Sequence, residues 1–239
     1  MYLVLNKFGW LDGRDFMIRT NLIWIIFIIT LTIYCKKEAI INVTEETQDS
    51  ANQENMKKLI FLGDSLTAGM GLPGVEYSYP NLLYNRLQSK GYTFKFINAG
   101  LSGDTTSGGL TRLDWVLSKG VDIFILELGA NDMMRGIQPS EISKNLIEII
   151  ERVREKNPNS KILLVPMKPF PNMGKEYGKK FENVYTEVAR ITGVSLSEFL
   201  LENVAGIPSL NQKDGIHPTI EGHKIMQENI WNNLIKLME

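Results

Sequence analysis

From Lys58 to the C-terminus, short apolar runs alternate with stretches whose apolar residues recur at helical spacing, and this alternation narrows the fold more than any other feature. The strand candidates are 58–62, 92–98 (YTFKFIN), 122–128 (DIFILEL), 161–166 (KILLVP) and 193–197. Between them, Ser78 precedes Tyr79-Pro80 and then Leu82, Leu83 and Leu87, the pattern of a capped helix start with proline in its first turn. Pro139 opens a stretch in which Ile142, Leu146, Ile149, Ile150 and Val153 share one helical face. Tyr177, Phe181, Val184, Tyr185 and Val188 form a second such stripe, and Met226, Ile230 and Leu234 a third that Thr219 is placed to cap. Strand alternating with helix implies a parallel sheet covered on both sides. The expected fold class is therefore α/β: a single doubly wound domain over 57–239, with a five-stranded parallel sheet and helices on both faces. In such sheets function gathers at the carboxyl ends of the strands, around a switch in strand order.

The first strand end carries the most chemistry. Leu59-Ile60-Phe61-Leu62 reads as a strand buried on both faces, followed by Gly63-Asp64 and then Ser65 where a helix could begin. A serine there either caps the helix with its hydroxyl or acts as a nucleophile favoured by the positive helix start. The choice depends on whether other strand ends supply a base, an orienting carboxylate and oxyanion donors.

They do. After the second strand, Gly100-Leu101-Ser102-Gly103-Asp104-Thr105 is a turn in which Asp104 or Thr105 could cap the next helix, and it offers the backbone N–H of Gly103 to an oxyanion. After the third strand, Gly129-Ala130-Asn131-Asp132 places an asparagine that either closes an Asx turn or aims its NH₂ at developing charge. Before the last helix, Asp214-Gly215-Ile216-His217-Pro218 lets one turn fold a carboxylate onto an imidazole nitrogen and leave the other nitrogen facing the sheet edge. Such a carboxylate fixes the tautomer and stabilises the imidazolium, as in a Ser-His-Asp triad. His223 has no carboxylate at comparable spacing before it and is the weaker base candidate.

Two look-alikes are rejected. Gly69-Met70-Gly71-Leu72-Pro73-Gly74 matches the G-x-G-x-x-G dinucleotide fingerprint, but it begins seven residues after the strand and contains a proline. Asn98, in addition, stands where the acidic residue closing the second strand belongs, so the segment is read as a loop. The G-x-S-x-G elbow of α/β-hydrolases is also absent, because Thr67 occupies its last position.

The N-terminal region reads as separate from the fold. Leu22 to Tyr34 is an uncharged apolar run of 13 residues between Arg19 and Cys35-Lys36-Lys37. At about 1.5 Å per residue it is too short for a hydrocarbon core of roughly 30 Å, and it resembles a secretory h-region. Cys35, the chain's single cysteine, sits where a bacterial lipoprotein signal places its acylated residue, although Tyr34 replaces the small residue such signals prefer. An ordinary signal or an uncleaved anchor would use the same run. The expectation is a signal or lipoprotein-type segment over 1–35, a polar tether over 36–56, and a domain exported to the bacterial cell envelope, lipid-anchored or otherwise periplasmic. One cysteine and two histidines argue against a disulfide framework, a cysteine-based zinc site or a histidine-rich metal centre, so no metal is expected. A formal net charge of −1 without a basic cluster in the domain argues against nucleic acid as a partner.

Taken together, Gly63-Asp64-Ser65-Leu66, the Gly103 turn, Gly129-Ala130-Asn131-Asp132 and Asp214-x-x-His217 resemble the four signature blocks of the GDSL/SGNH hydrolase family, in its order and spacing. Glu127-Leu128-Gly129-Ala130-Asn131-Asp132 with Arg135-Gly136 and Gln138-Pro139, then Asp214-Gly215-Ile216-His217-Pro218, are most similar to the acyl-CoA thioesterase I / lysophospholipase L1 / arylesterase subgroup. The similarity runs from about residue 58 to the C-terminus. It implies a flavodoxin-like sheet and a serine esterase or thioesterase working through an acyl-enzyme, without a cofactor. In that scheme Ser65 is the nucleophile, His217 the base and Asp214 its orienter. The N–H groups of Ser65 and Gly103 and the side chain of Asn131 form the oxyanion hole. The expected partner is a small-molecule or lipid ester; outside the resemblance, the N-terminal anchor is expected to reach the membrane and the domain is expected to be a monomer. Two other readings belong to the same residues: a carbohydrate acetyl esterase of the same fold, and an envelope lipoprotein that has lost turnover.

The acyl group needs a place to lie. Met133, Met134 and Ile137 follow the proposed oxyanion residue, and Met167, Phe170 and Met173 lie in the apolar stretch 167–174 after the fourth strand, which should approach the same edge of the sheet. Either these side chains pack against the following helices, or they line an adaptable acyl groove.

Overall fold

The computed structural model describes residues 56–239. The signal segment with Cys35, and the tether apart from its last residue, lie outside the described residues.

Strand β1 (Lys58–Gly63) is the centre of the domain, with Leu59 through Leu62 wholly enclosed. It leads into a four-residue helix, α1 (Ser65–Ala68), which ends on a left-handed Gly69. A loop and a 3₁₀ turn (Val75–Tyr77) follow, then α2 (Tyr79–Ser89) and β2 (Lys95–Gly100). Next come α3 (Thr106–Val116), β3 (Ile123–Glu127), the short α4 (Ala130–Met134) and α5 (Pro139–Lys156). Strand β4 (Lys161–Leu164), α6 (Lys175–Glu182), α7 (Val184–Thr192), β5 (Ser195–Leu196) and α8 (Ile220–Met238) complete the order.

All strands are parallel, in the order β2-β1-β3-β4-β5. The chain steps from β1 to β2 on one side and returns to place β3 on the other, so the switch in direction lies at β1. Register aligns the strand ends: Gly63 stands opposite Gly100 on one side and Glu127 on the other. The turns carrying Ser65, Gly103 and Asn131 therefore leave the same edge of the sheet. Helices α2 and α8 pack on each other, and α3, α5 and α7 pack in a separate layer. This layering explains why strand residues on both faces are buried, each large apolar side chain stabilising the fold by about 1.5–3 kcal/mol. Among the described residues no helix is long and apolar enough to cross a membrane.

Several local expectations shift. The second strand lies at Lys95–Gly100 rather than 92–98, because pairing begins where β1 begins, Lys58 opposite Lys95. At the edge, 193–197 shortens to Ser195–Leu196, which pair with Leu163 and Leu164. Ser78 occupies the cap position of α2, yet its hydroxyl donates to the Val75 carbonyl and Asn81 Oδ1 instead of receiving a helix N–H. The stripe from Tyr177 to Val188 is carried by two helices that meet at Asn183, and Phe181, Val184, Tyr185 and Val188 all remain in the core. Pro139 and Thr219 start α5 and α8 as expected, Thr219 accepting from Gly222 N–H.

Candidate active site

The capping question at Ser65 has a clear structural answer: the cap is its neighbour. Asp64 Oδ1 accepts the Leu66 N–H at 3.0 Å, and Ser65 is the first residue inside α1. The serine hydroxyl is thereby released from helix duty. Ser65 Oγ instead lies 2.9 Å from His217 Nε2, and His217 Nδ1 lies 2.7 Å from Asp214 Oδ2. Asp214 Oδ1 also receives the backbone N–H groups of His217 and Ile216, both at 3.0 Å. These bonds are local, which is why the Asp-Gly-x-His spacing builds them: Gly215 adopts φ +77° and turns the chain back on itself. The backbone bond from His217, then the side-chain bond to the same residue, hold the Asp214 carboxyl down to about 2. It therefore faces the imidazole as a carboxylate throughout the neutral range.

Candidate oxyanion donors converge on the same edge. The N–H groups of Ser65 and Gly103 have no partner within the described residues. Asn131 is almost fully buried, and its Nδ2 donates one hydrogen to Asp64 Oδ2 at 3.0 Å, leaving the second available. This side chain does not bond its own backbone, so the Asx-turn alternative fails here. Asp64 is thus both helix cap and anchor for Asn131. Its own acidity is weakened by burial, which raises it to about 6 against the opposing pull of the Leu66 and Asn131 bonds.

The loops bearing these donors are tied together. Asp132 is buried and receives the Thr106 N–H at 2.9 Å and the Thr106 hydroxyl at 2.6 Å, with Asn145 Nδ2 bonding the same hydroxyl. The start of α3 is thereby fixed to the turn after β3. Arg135 adds a 2.8 Å bond to the Gly103 carbonyl, and Thr105, not Asp104, caps α3 through Gly108 N–H. Asp104 instead pairs with Arg112 at 2.7 Å, and Arg112 also bonds the Gly63 carbonyl at 3.1 Å. At Gly129, φ is +123° and a Cβ would strike the Tyr185 hydroxyl, which bonds the Leu128 carbonyl at 2.8 Å. Only glycine fits that approach.

A hollow of about 40 Å³ opens over Ser65, and Leu66, Ala130, Met134, Met167, Phe170 and Ile216 supply its apolar wall. Met167, Phe170, Leu201 and Ile216 also line an adjoining groove of about 420 Å³ that runs toward Phe199 and Ala205. Its size lies in the range of small-ligand sites. The sequence-derived groove residues divide accordingly. Met134 and Phe170 lie on the wall. Met133 is wholly enclosed, its sulfur 3.4 Å from the Phe170 N–H, so it supports the Phe170 loop from behind. Ile137 is partly exposed outside both hollows, its carbonyl receiving the Tyr177 hydroxyl at 2.7 Å. Met167 opens the apolar stretch that carries Phe170 and lies on the wall with it, whereas Leu201 and Ile216 are not singled out by sequence; Leu201 carries no signal because it sits in an irregular segment far from every motif.

A third hollow, about 490 Å³ and lined by Lys57, Tyr92, Phe94, Asp122 and Lys161, lies at the amino-terminal edge of the sheet, away from all of these groups. His223 is buried in α8, where Nδ1 accepts the Tyr79 N–H at 3.2 Å, and takes no part in the cluster. Among the described residues no group of three or more His, Cys, Asp or Glu side chains is arranged to hold a metal ion.

The model of the GDSL-like lipase/acylhydrolase family matches residues 61–225. Esterase TesA of Pseudomonas aeruginosa is 36% identical over 193 residues, covering 80% of this chain and 92% of the relative. Thioesterase 1/protease 1/lysophospholipase L1 of Escherichia coli K12 is 37% identical over 161 residues, covering 67% and 74%. A crystal structure of TesA superposes with a TM-score of 0.72 at 36% identity, covering 76% of this chain and 99% of that one.

Proposed function

Since the chain belongs to the GDSL-like lipase/acylhydrolase family, we propose that it hydrolyses acyl esters and thioesters through an acyl-enzyme formed on Ser65. The observation that carries this reading is the continuous line Ser65 Oγ, His217, Asp214, at 2.9 Å and 2.7 Å. His217 Nε2 takes the hydroxyl proton as Ser65 Oγ bonds the acyl carbon. The carbonyl oxygen becomes an oxyanion held by the N–H groups of Ser65 and Gly103 and the free N–H of Asn131. His217 then gives its proton to the leaving alcohol or thiol as that bond breaks. Water enters, loses a proton to His217 and attacks the acyl-enzyme, which releases the carboxylic acid and returns the proton to Ser65. Asp214 carries no proton in the cycle; it orients the ring and offsets the imidazolium charge.

The substrate is a small-molecule or lipid ester whose acyl chain extends from Ser65 along Met134, Met167, Phe170 and Leu201. The domain acts as a monomer, exported to the cell envelope and held at the membrane through Cys35. A fluorophosphonate probe labels the peptide containing Ser65 and fails on Ser65→Ala; labelling that persists, or that maps to Ser102, refutes the nucleophile. A series of p-nitrophenyl esters gives kcat/KM that rises from acetyl toward medium chains. A profile that peaks at acetyl and collapses by butyryl supports the carbohydrate acetyl esterase reading instead. Cys35→Ala moves the protein from the membrane fraction to the soluble envelope fraction, or leaves an unprocessed precursor. Unlipidated soluble protein from the unmutated gene excludes the anchor.

A further inference from the structure

Glu127 closes β3 in an otherwise apolar run and is wholly buried, its carboxyl within hydrogen-bonding reach of that of Asp64 and, among the described residues, bonded to no cation. A Cβ on Gly63 would lie only 2.7 Å from its Oε2, so the space around the carboxyl is closed. Four carboxyl oxygens belong to the Asp64–Glu127 pair, and three have donors. Asp64 Oδ1 receives Leu66 N–H, Asp64 Oδ2 receives Asn131 Nδ2, and Glu127 Oε2 receives the Thr67 hydroxyl at 2.8 Å and Asp64 N–H at 3.3 Å. Glu127 Oε1 is the orphan, enclosed and without a donor among the described residues. Two adjacent buried carboxylates with an unpartnered oxygen are strongly disfavoured. One proton removes both problems, because it turns the orphan acceptor into a donor.

We propose that Glu127 is a positioning residue of the oxyanion hole: as the neutral acid it donates a hydrogen bond to the Asp64 carboxylate, and Asp64 so held fixes the Asn131 amide with one N–H turned toward the substrate. The proton resides on Glu127 rather than Asp64 because Asp64 has two N–H donors that favour its charged form. Burial, then the neighbouring Asp64 charge, push Glu127 well above the usual carboxylate range. The other titratable groups facing the pair do not oppose this. Tyr79 of α2 bonds Thr67 Oγ1 at 3.0 Å, and Tyr185 of α7 bonds the Leu128 carbonyl; burial holds both phenols neutral. Asp132 is occupied by Thr106, Arg112 by Asp104 and the Gly63 carbonyl, and the His217 charge favours the ionised form of Asp64. A dipole chain from Tyr79 through Thr67 thus ends on Glu127, and Glu127 ends on Asp64.

The proposal rests on Asn131 serving the oxyanion, and the test separates the two. Infrared spectra of the full chain at pH 8 show the C=O stretch of a buried carboxylic acid, and Glu127→Gln removes it; a wild-type spectrum without that band overturns the proposal. Glu127→Gln, whose amide also donates to Asp64, keeps kcat within a few-fold, with an unchanged pH profile. Glu127→Ala lowers kcat roughly 10- to 100-fold with little change in KM. A large loss in Glu127→Gln, or full activity in Glu127→Ala, overturns the positioning role. In an Asn131→Ala background Glu127→Ala has little further effect, whereas an equal loss in both backgrounds overturns the route through Asn131. Asn131→Ala with unaltered kcat refutes the oxyanion reading itself, and the infrared band still reports where the proton lies.

Discussion

Two histidines six residues apart occupy opposite environments. His217 sits in a turn near the surface, with the Asp214 carboxylate behind one nitrogen and the Ser65 hydroxyl before the other. His223 is inside α8, its ring stacked on Tyr79 at 6.4 Å and its Nδ1 accepting a backbone N–H, which places its proton on Nε2. Burial, then the nearby His217 charge, lower it to about 4. A proton carrier needs a partner that stabilises its charged form and an open side toward substrate. His217 has both and His223 has neither, so under the proposed mechanism the same side chain is a base in one place and a packing element in the other.

The sharpest way to break this contrast is to remove each imidazole. His217→Ala should lower kcat by about 10⁴–10⁶ with an unchanged melting temperature, since the ring is bound mainly by groups of the reaction. His223→Gln, which can still accept the Tyr79 N–H, should leave kcat nearly intact. Comparable losses in the two variants would end the division of roles.

Asn131 ranks next. Asn131→Ala should lower kcat about 10²–10³ with little effect on KM or stability, measured by steady-state kinetics and thermal melts. Loss of stability with activity retained would make it a structural partner of Asp64 and nothing more.

For His223 the expected signature is in stability. Its folded pKa of about 4 lies below the ordinary 6.5, so between these values the unfolded chain takes up a proton that the folded chain refuses. Stability therefore falls as pH drops through that window, by about 3 kcal/mol at full extent, and is retained above it. Denaturant unfolding at pH 7 and pH 4.5 should show this loss in the wild type and a smaller one in His223→Gln. Parallel curves would mean that His223 is not the titrating group.

The smallest effect on activity distinguishes two adjacent methionines. Met134→Lys should flatten the rise of kcat/KM with acyl length, each lost methylene contact being worth about 0.8 kcal/mol. Met133→Ala should instead destabilise the fold by about 2–5 kcal/mol through the cavity it leaves, with the chain-length preference kept. The reverse pattern would mean that Met133, not Met134, faces the acyl chain.

Much of the site was legible because its parts are local. Asp214 and His217 meet within one turn, and Gly63-Asp64-Ser65 follows directly from a strand whose burial is written in its four apolar residues. What stays open in the sequence depends on neighbours from elsewhere. Ser65 could cap the helix or stand free, and only the Asp64 side chain, by taking the Leu66 N–H, decides that it stands free. Met133 and Met134 look equivalent in sequence, yet one is fully enclosed and the other 46% exposed.

The sequence by itself determined the alternation of strand and helix, the strand ends that carry chemistry, and the Asp214-His217 pair, because backbone period and short-range turns depend on nearby residues alone. Only the tertiary structure decided that His217 reaches Ser65 across 152 positions, that Leu201 and Ile216 join the wall of the groove, and that Glu127 lies against Asp64 with one oxygen unpartnered among the described residues. Those outcomes require strand order and the exclusion of water. Burial by distant elements sets the distances and makes an unshared charge costly enough to hold a proton in place.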